Sequence, residues 1–183
     1  MDEMGNPFAT MKPAGQRADR VPRFTDGFVG KVEVEKMQYV HTREGNQNLF
    51  FTNLKILESN MKEHPVGATR SWCQDRDKDA ARGAFQDFAA AALGFQSVKS
   101  PEFVEMFPDD DSFSAFLATA LDPVENKDYG GTGSLNGAVL IVEAHNIVTK
   151  NNETKWAKDL AAGKVTPDSK PQPFLALRFK PAT

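Results

Sequence analysis

From Gly27 the chain alternates apolar and polar positions. Phe28, Val32 and Val34 fall on one side with Gly30 between them, and Lys31, Glu33 and Glu35 fall on the other, the period-2 signature of a half-buried strand. The next large apolar residues are Met37 and Tyr39, so the alternation slips by one. A β-bulge produces that slip and bends a strand enough to serve two parts of a small barrel, and Gly30 eases the bend. Residues 43–48 (REGNQN) read as a polar turn with Gly45 and Asn46 at its tip. A second strand follows over 49–57, with Phe50, Leu54 and Ile56 on one face and Phe51, Asn53 and Lys55 on the other. A third, over 68–74, holds Trp72 and Cys73.

At Asp75 the period changes. Ala80, Ala81, Ala84, Phe85, Phe88, Ala89, Ala92 and Leu93 recur at helical spacing, with Asp75 or Asp77 to cap the start and Gly94 to stop the helix. Ser100-Pro101-Glu102 opens a second, short helix with an N-cap residue, proline at the first helical position and an acid in the first turn. Residues 109–121 predict a third, with Phe113, Phe116, Leu117 and Ala120 on its inner side. A glycine-rich loop covers 122–134. Alternation then returns, with Ala138, Leu140, Val142 and Ala144 on one face and Val139 and Ile141 on the other. Residues 146–156 carry this fourth strand into a turn at Asn151 and Asn152. A polar stretch over 157–172 leads to a last strand over 174–180.

The elements predict a mainly β, α+β fold: three strands, a helical insert over 76–121, then two strands. That order, β-β-β-α(αα)-β-β with a long bent first strand, is the order of a five-stranded OB barrel. A β-sandwich would need about seven strands, and a parallel sheet would need strands alternating with helices. Residues 1–26 hold three prolines, Arg17, Arg20 and Arg23, and only Phe8 and Phe24 as large aromatic anchors. They read as an extended N-terminal arm before a single domain over 27–183.

Composition narrows the function. The 183 residues are 40% hydrophobic and 26% charged, ordinary for a globular protein. No apolar run nears the roughly 20 residues of a membrane span, and the acidic start lacks the apolar stretch of a secretory signal, so the expected location is the cytoplasm. One cysteine, Cys73, permits no internal disulfide and no zinc site built on cysteine pairs. His41, His64 and His145 show no ligand spacing. No phosphate loop, nucleophile elbow or dinucleotide fingerprint occurs. The expectation is therefore a protein without enzymatic activity, cofactor or metal. Glu33, Glu35 and Glu143 are the strand acids from which a metal-dependent nuclease would have to be built.

The net charge of −3 argues at first against a nucleic-acid partner. Residues 100–128, however, carry eight acids against Lys127 alone, which leaves 21 bases and 17 acids elsewhere. The acidic block is thus separable from a part that can meet an anion.

An OB barrel offers one sheet face and its flanking loops to oligonucleotides, and single strands need cations for phosphates and flat rings for unpaired bases. The expected outward residues supply both. Tyr39 lies between Lys36 and Arg43, and Phe51 shares a face with Lys55. Trp72 and Arg70 are two apart on one strand, and Lys150, Lys155 and Trp156 flank the turn after the fourth strand. Cys73 reads as a small buried apolar residue. Phe85, Phe88, Phe103, Phe107, Phe113 and Phe116 fall on helical stripes and read as packing.

The stretch GFVGKVEVEKMQYVHTREGNQNLFFTNLKILESNMKEHPVGATRSW, the alanine-rich helix ending AAALGF, and LNGAVLIVEAHNIVTKNNETKW together resemble phage-encoded single-stranded-DNA-binding proteins with an OB fold. The resemblance spans roughly residues 5–180 and rests on pattern rather than a strict signature. It implies a small accessory of DNA replication, recombination or repair that coats single strands without strong sequence preference. The DNA face it implies comprises Lys36, Tyr39, Arg43, Phe51, Arg70, Trp72, Lys150 and Trp156. Unlike bacterial single-strand-binding proteins, the chain ends FKPAT, without an acidic tail. Stacking does not inspect the sugar, so RNA stays beside DNA as a ligand. Replication or recombination proteins are the expected protein partners, and a barrel edge or the acidic helices offer a surface for a homodimer. The alternative is an OB module for protein interaction or virion assembly, with its aromatics buried and its acidic helices docking the partner.

Overall fold

In a computed structural model, which describes residues 21–42, 47–75, 79–122 and 131–182, five strands form one antiparallel sheet. The strands are β1 (Val29–Thr42), β2 (Gln47–Ser59), β3 (Thr69–Asp75), β4 (Val139–Ile147) and β5 (Phe174–Pro181), in the spatial order β3-β2-β1-β4-β5. Four helices accompany them: α1 (Asp79–Ala92), α2 (Pro101–Met106), α3 (Asp110–Ala120) and α4 (Lys150–Ala161). The protein is α+β, with the expected strands and alternation. Among the described residues no helix is long and apolar enough to cross a membrane.

The bend in β1 lies where the alternation slips. Val34 pairs with Leu54 and Lys36 with Asn53, so Glu35 is the extra residue of a bulge, and a second shift lies between Lys31 and Val32. Before the bulge β1 also pairs with β4, from Val29↔Glu143 to Glu33↔Val139. From Val34 on, β1 leaves β4 and its open edge takes other partners. Val34 exchanges hydrogen bonds with Ala138 and Gly137, and Met37 does so with Asp122, whose carboxylate accepts from Met37 N at 2.5 Å. The backbone groups of Val34 and Met37 on this edge are thereby satisfied, as buried backbone requires. Gly30 fills its place because Phe28 folds its ring beneath it. A Cβ there would run into that ring and into the Glu58 carbonyl oxygen.

The inner face of the sheet buries Phe28, Val32, Val34, Met37, Phe50, Leu54, Ile56, Leu140, Val142 and Ala144, each large side chain contributing roughly 1.5–3 kcal/mol. α1 lies across this face. Phe85 meets Phe50 and Trp72 with ring centroids 4.4 and 5.6 Å away, and Phe88 meets Trp72 and Phe179 at 5.2 Å each. Trp72 also touches Phe179 at 4.8 Å. Trp72 and Phe179 belong to β3 and β5, the outermost strands of the hydrogen-bonded order, so both outer strands contribute rings to one core. A satellite cluster of Phe95, Phe103, Phe107, Phe113 and Phe116 holds α2 and α3. α2 starts at the expected Ser100 and Pro101, and α3 starts on a capping box of Asp109 with Ser112.

The root of the arm is fixed. Arg23 bridges Ser71 in parallel, Ser71 N donates to Pro22 O, and Phe24 is buried against Phe28. One edge of the sheet is thereby covered along part of β3. Phe8 lies outside the described residues.

Candidate nucleic-acid interface

The face of the sheet turned away from α1 carries one part of the expected site. On β2, Phe51, Asn53 and Lys55 alternate with the buried set and are each half-buried. On β1, Lys36 lies opposite Asn53 and Gln38 opposite Phe51. Lys36 is therefore the diagonal neighbour of Phe51, about 7–8 Å away between backbones and within reach of a long side chain. Lys55 lies four residues along the same strand, roughly 13 Å from Phe51. No ion pair engages Lys36 or Lys55 among the described residues. The Oδ1 of Asn53 is enclosed between the strands without a hydrogen-bond partner there. Cys73, read from sequence as buried, is half-buried opposite Phe51.

Other charges of this face are already matched. Lys31 holds Glu58 at 2.7 Å, Glu35 accepts from the Thr69 hydroxyl at 2.7 Å, and Lys180 holds Glu143 at 2.5 Å. The Lys180 hydrogen bond is the main reason the Glu143 carboxyl titrates below the ordinary range, with Lys180, His145 and Arg178 adding their fields. Of the three strand acids considered for a nuclease, Glu35 and Glu143 thus have separate hydroxyl and cationic partners, and Glu33 lies opposite Lys55 in register with no ion pair between them among the described residues. Among the described residues no three metal-ligating side chains converge.

Two expected contact residues are corrected. Trp72 and Arg70 do share a face, but it is the inner one: Trp72 is 6% exposed and Arg70 8%. In the ladder Trp72 lies opposite Thr52 and Arg70 opposite Leu54, both fully buried, so neither points to solvent. The Trp72 ring is enclosed by Phe85, Phe88 and Phe179 and has no face for a base. Arg70 spends its guanidinium inside the protein. Nε donates to His64 Nδ1 at 2.7 Å, and the two terminal nitrogens donate to the carbonyls of Thr69 and Glu63 at 2.9 and 2.6 Å.

His64, whose part sequence reasoning missed, is the acceptor that makes this burial tolerable. It is 2% exposed, beside the rings of Phe24 and Phe28, and its Nε2 lies 2.7 Å from the Thr25 hydroxyl. The Thr25 backbone N–H also points at Nε2, 3.1 Å away, while Nδ1 accepts from Arg70. Burial, reinforced by Arg70 and partly opposed by Glu63, lowers its pKa. The only hint in the chain was a histidine in a loop rich in turn residues.

A third correction concerns the segment after β4. Lys150, Lys155 and Trp156 flank no turn; they lie on α4. Thr149 caps this helix, accepting from Asn152 N, while Asn152 reaches back to Thr149 N. This reciprocal cap turns the two asparagines into a helix start. Lys150 and Lys155 are exposed, and Trp156 is half-buried with Nε1 donating to Ser169 Oγ at 3.0 Å. Tyr39 pairs with Phe50 in the ladder, but the placement of its ring lies outside the described part, as does Arg43 altogether.

The structure therefore brings together Lys36, Phe51 and Lys55 on the sheet and Lys155 with Trp156 on α4. Phe51 lies toward the β1–β2 turn. α4 follows the opposite end of the sheet, where Asn146 N donates to Asp26 beside the start of β1. No protein-family model and no curated protein matches the sequence.

Proposed function

We propose that the five-stranded sheet is the wall of an OB-type barrel whose outer face coats single-stranded nucleic acid without sequence preference, as a phage-type accessory of DNA replication, recombination or repair. The observation that carries this reading is the half-exposed ring of Phe51 with Lys36 and then Lys55 further along the same face. A flat ring beside uncommitted cations offers stacking to a base and charge to its phosphates, and neither interaction inspects base identity. The barrel part is supported by the element order, the bulged β1 serving both neighbours, and the ring contact between β3 and β5. Binding rather than catalysis is the proposed role, with RNA and DNA both eligible.

Anisotropy of a labelled oligo-dT at low and moderate salt tests it. Expected are micromolar or tighter binding and a linear fall of log K with log salt, with a slope of about −0.7 per phosphate neutralised. Phe51→Ala loses about 1–3 kcal/mol of affinity. Lys36→Glu and Lys55→Glu weaken binding to all sequences alike and flatten the salt slope. No binding at low salt would falsify the reading. It would favour a protein-interaction or virion-assembly module, for which acidic α2 exposes Val104 and Met106 at 53% and 49%.

A further inference from the structure

Between β4 and β5 the chain makes an excursion that adds little to the core: α4 buries none of its residues. The excursion folds on itself instead. Trp156 donates to Ser169, and Ser169 Oγ donates to the Thr166 carbonyl at 2.5 Å, so the edge of the indole is held by the loop. The ring lines a groove of about 310 Å³ between α4 and residues 165–172, with Lys155 and Lys170 also on its walls. That volume is near the lower limit of small-ligand sites and suits one planar ring. Both lysines lack an ion pair among the described residues, while the groove's one acid, Asp159, has Lys164 4.0 Å away.

Another hollow, about 340 Å³ at the start of β1, has no aromatic wall. Its polar groups are also committed: Lys31 to Glu58, Asn60 to Val29 N and Gly27 O, and Ser59 to Met61. It offers a base neither a ring to stack on nor a free polar group. The α4 groove offers both, since Asn152 keeps its amide NH2 after capping the helix and Gln172 lies on the rim.

We propose that this groove seats a single unstacked nucleotide of the bound strand, its base against Trp156 and its phosphates toward Lys155 and Lys170. The proposal rests on the single-strand-binding reading and adds a second stacking point beyond the sheet, at the end remote from Phe51. Asn152 can donate through its NH2 and Gln172 can donate or accept, so the seat does not demand one base edge.

The chain has two tryptophans, one enclosed in the core and one in the groove, which makes the test direct. In Trp72→Phe protein the remaining indole is Trp156, and wild type compared with Trp156→Phe gives the same readout with the core intact. Oligo-dT binding is followed by anisotropy, with tryptophan emission in parallel. Expected are quenching that tracks binding, a loss of about fivefold or more in affinity on Trp156→Ala, and weaker binding with Lys170→Glu. If the oligonucleotide binds but Trp156 emission and both variants match wild type, the groove assignment is overturned and the sheet-face reading stands. If nothing binds at low salt, both are overturned.

Discussion

The hydroxyl of Thr52 sits on the inner face of β2, fully buried and without a hydrogen-bond partner among the described residues. An unpaired buried hydroxyl loses its hydration for nothing in return. Thr52→Val keeps the branched shape and removes that cost. The expected outcome is a gain of about 1 kcal/mol, seen as a higher urea midpoint at unchanged slope; a lower midpoint would point to a hidden partner. Thr52 also explains how the interface was misread by one face on β3. That Arg70 and Trp72 share a side follows from the two-residue period and was legible. Which side is inner was not, because Arg-Ser-Trp-Cys offers no apolar–polar contrast. Only the ladder, which sets Trp72 opposite Thr52 and Arg70 opposite Leu54, decides it. Phe51 and Lys55 were assigned to the correct face because Phe50, Leu54 and Ile56 supply that contrast within the same strand.

Among the elements, β1 was legible down to its bulge, since a slip in alternation has few other causes. α4 was not. Its stripe of apolar residues is too thin to register, as Trp156 and Leu160 are only half-buried and the rest is polar or alanine. The turn propensity of two asparagines then outweighed a Thr-x-x-Asn cap. A helix that buries so little depends on local terms, and loss of an N-cap threonine costs about 1 kcal/mol. Thr149→Ala is therefore expected to speed amide exchange across α4 while the strands keep their protection and the global melt hardly moves. A melt that drops with the helix would show that α4 is welded to the sheet. The same local independence gives the groove beside Trp156 freedom to vary without disturbing the core.

At the scale of the molecule, His64 joins three separate parts: Thr25 at the root of the arm, its own loop, and Arg70 on β3. Its pKa is lowered in the folded protein, first by burial and then by Arg70, so the unfolded chain binds the proton more readily. The stability it contributes is complete above the ordinary value of 6.5 and is lost as pH falls from there through the folded value. Urea midpoints from pH 8 to pH 5 should fall more steeply for wild type than for His64→Gln. Parallel curves would remove His64 from the account. The way β1 is shared has a further consequence, in time rather than in space. Its pairing with β2 needs only the next few dozen residues, but its other edge is closed by Asp122, 85 positions beyond Met37, and by β4 still later. At about 5–20 residues per second of synthesis, that edge waits roughly 4–17 s for its first partner after Met37 is made. In a nascent chain the open edge of β1 thus persists for a span fixed by the number of residues between Met37 and Asp122.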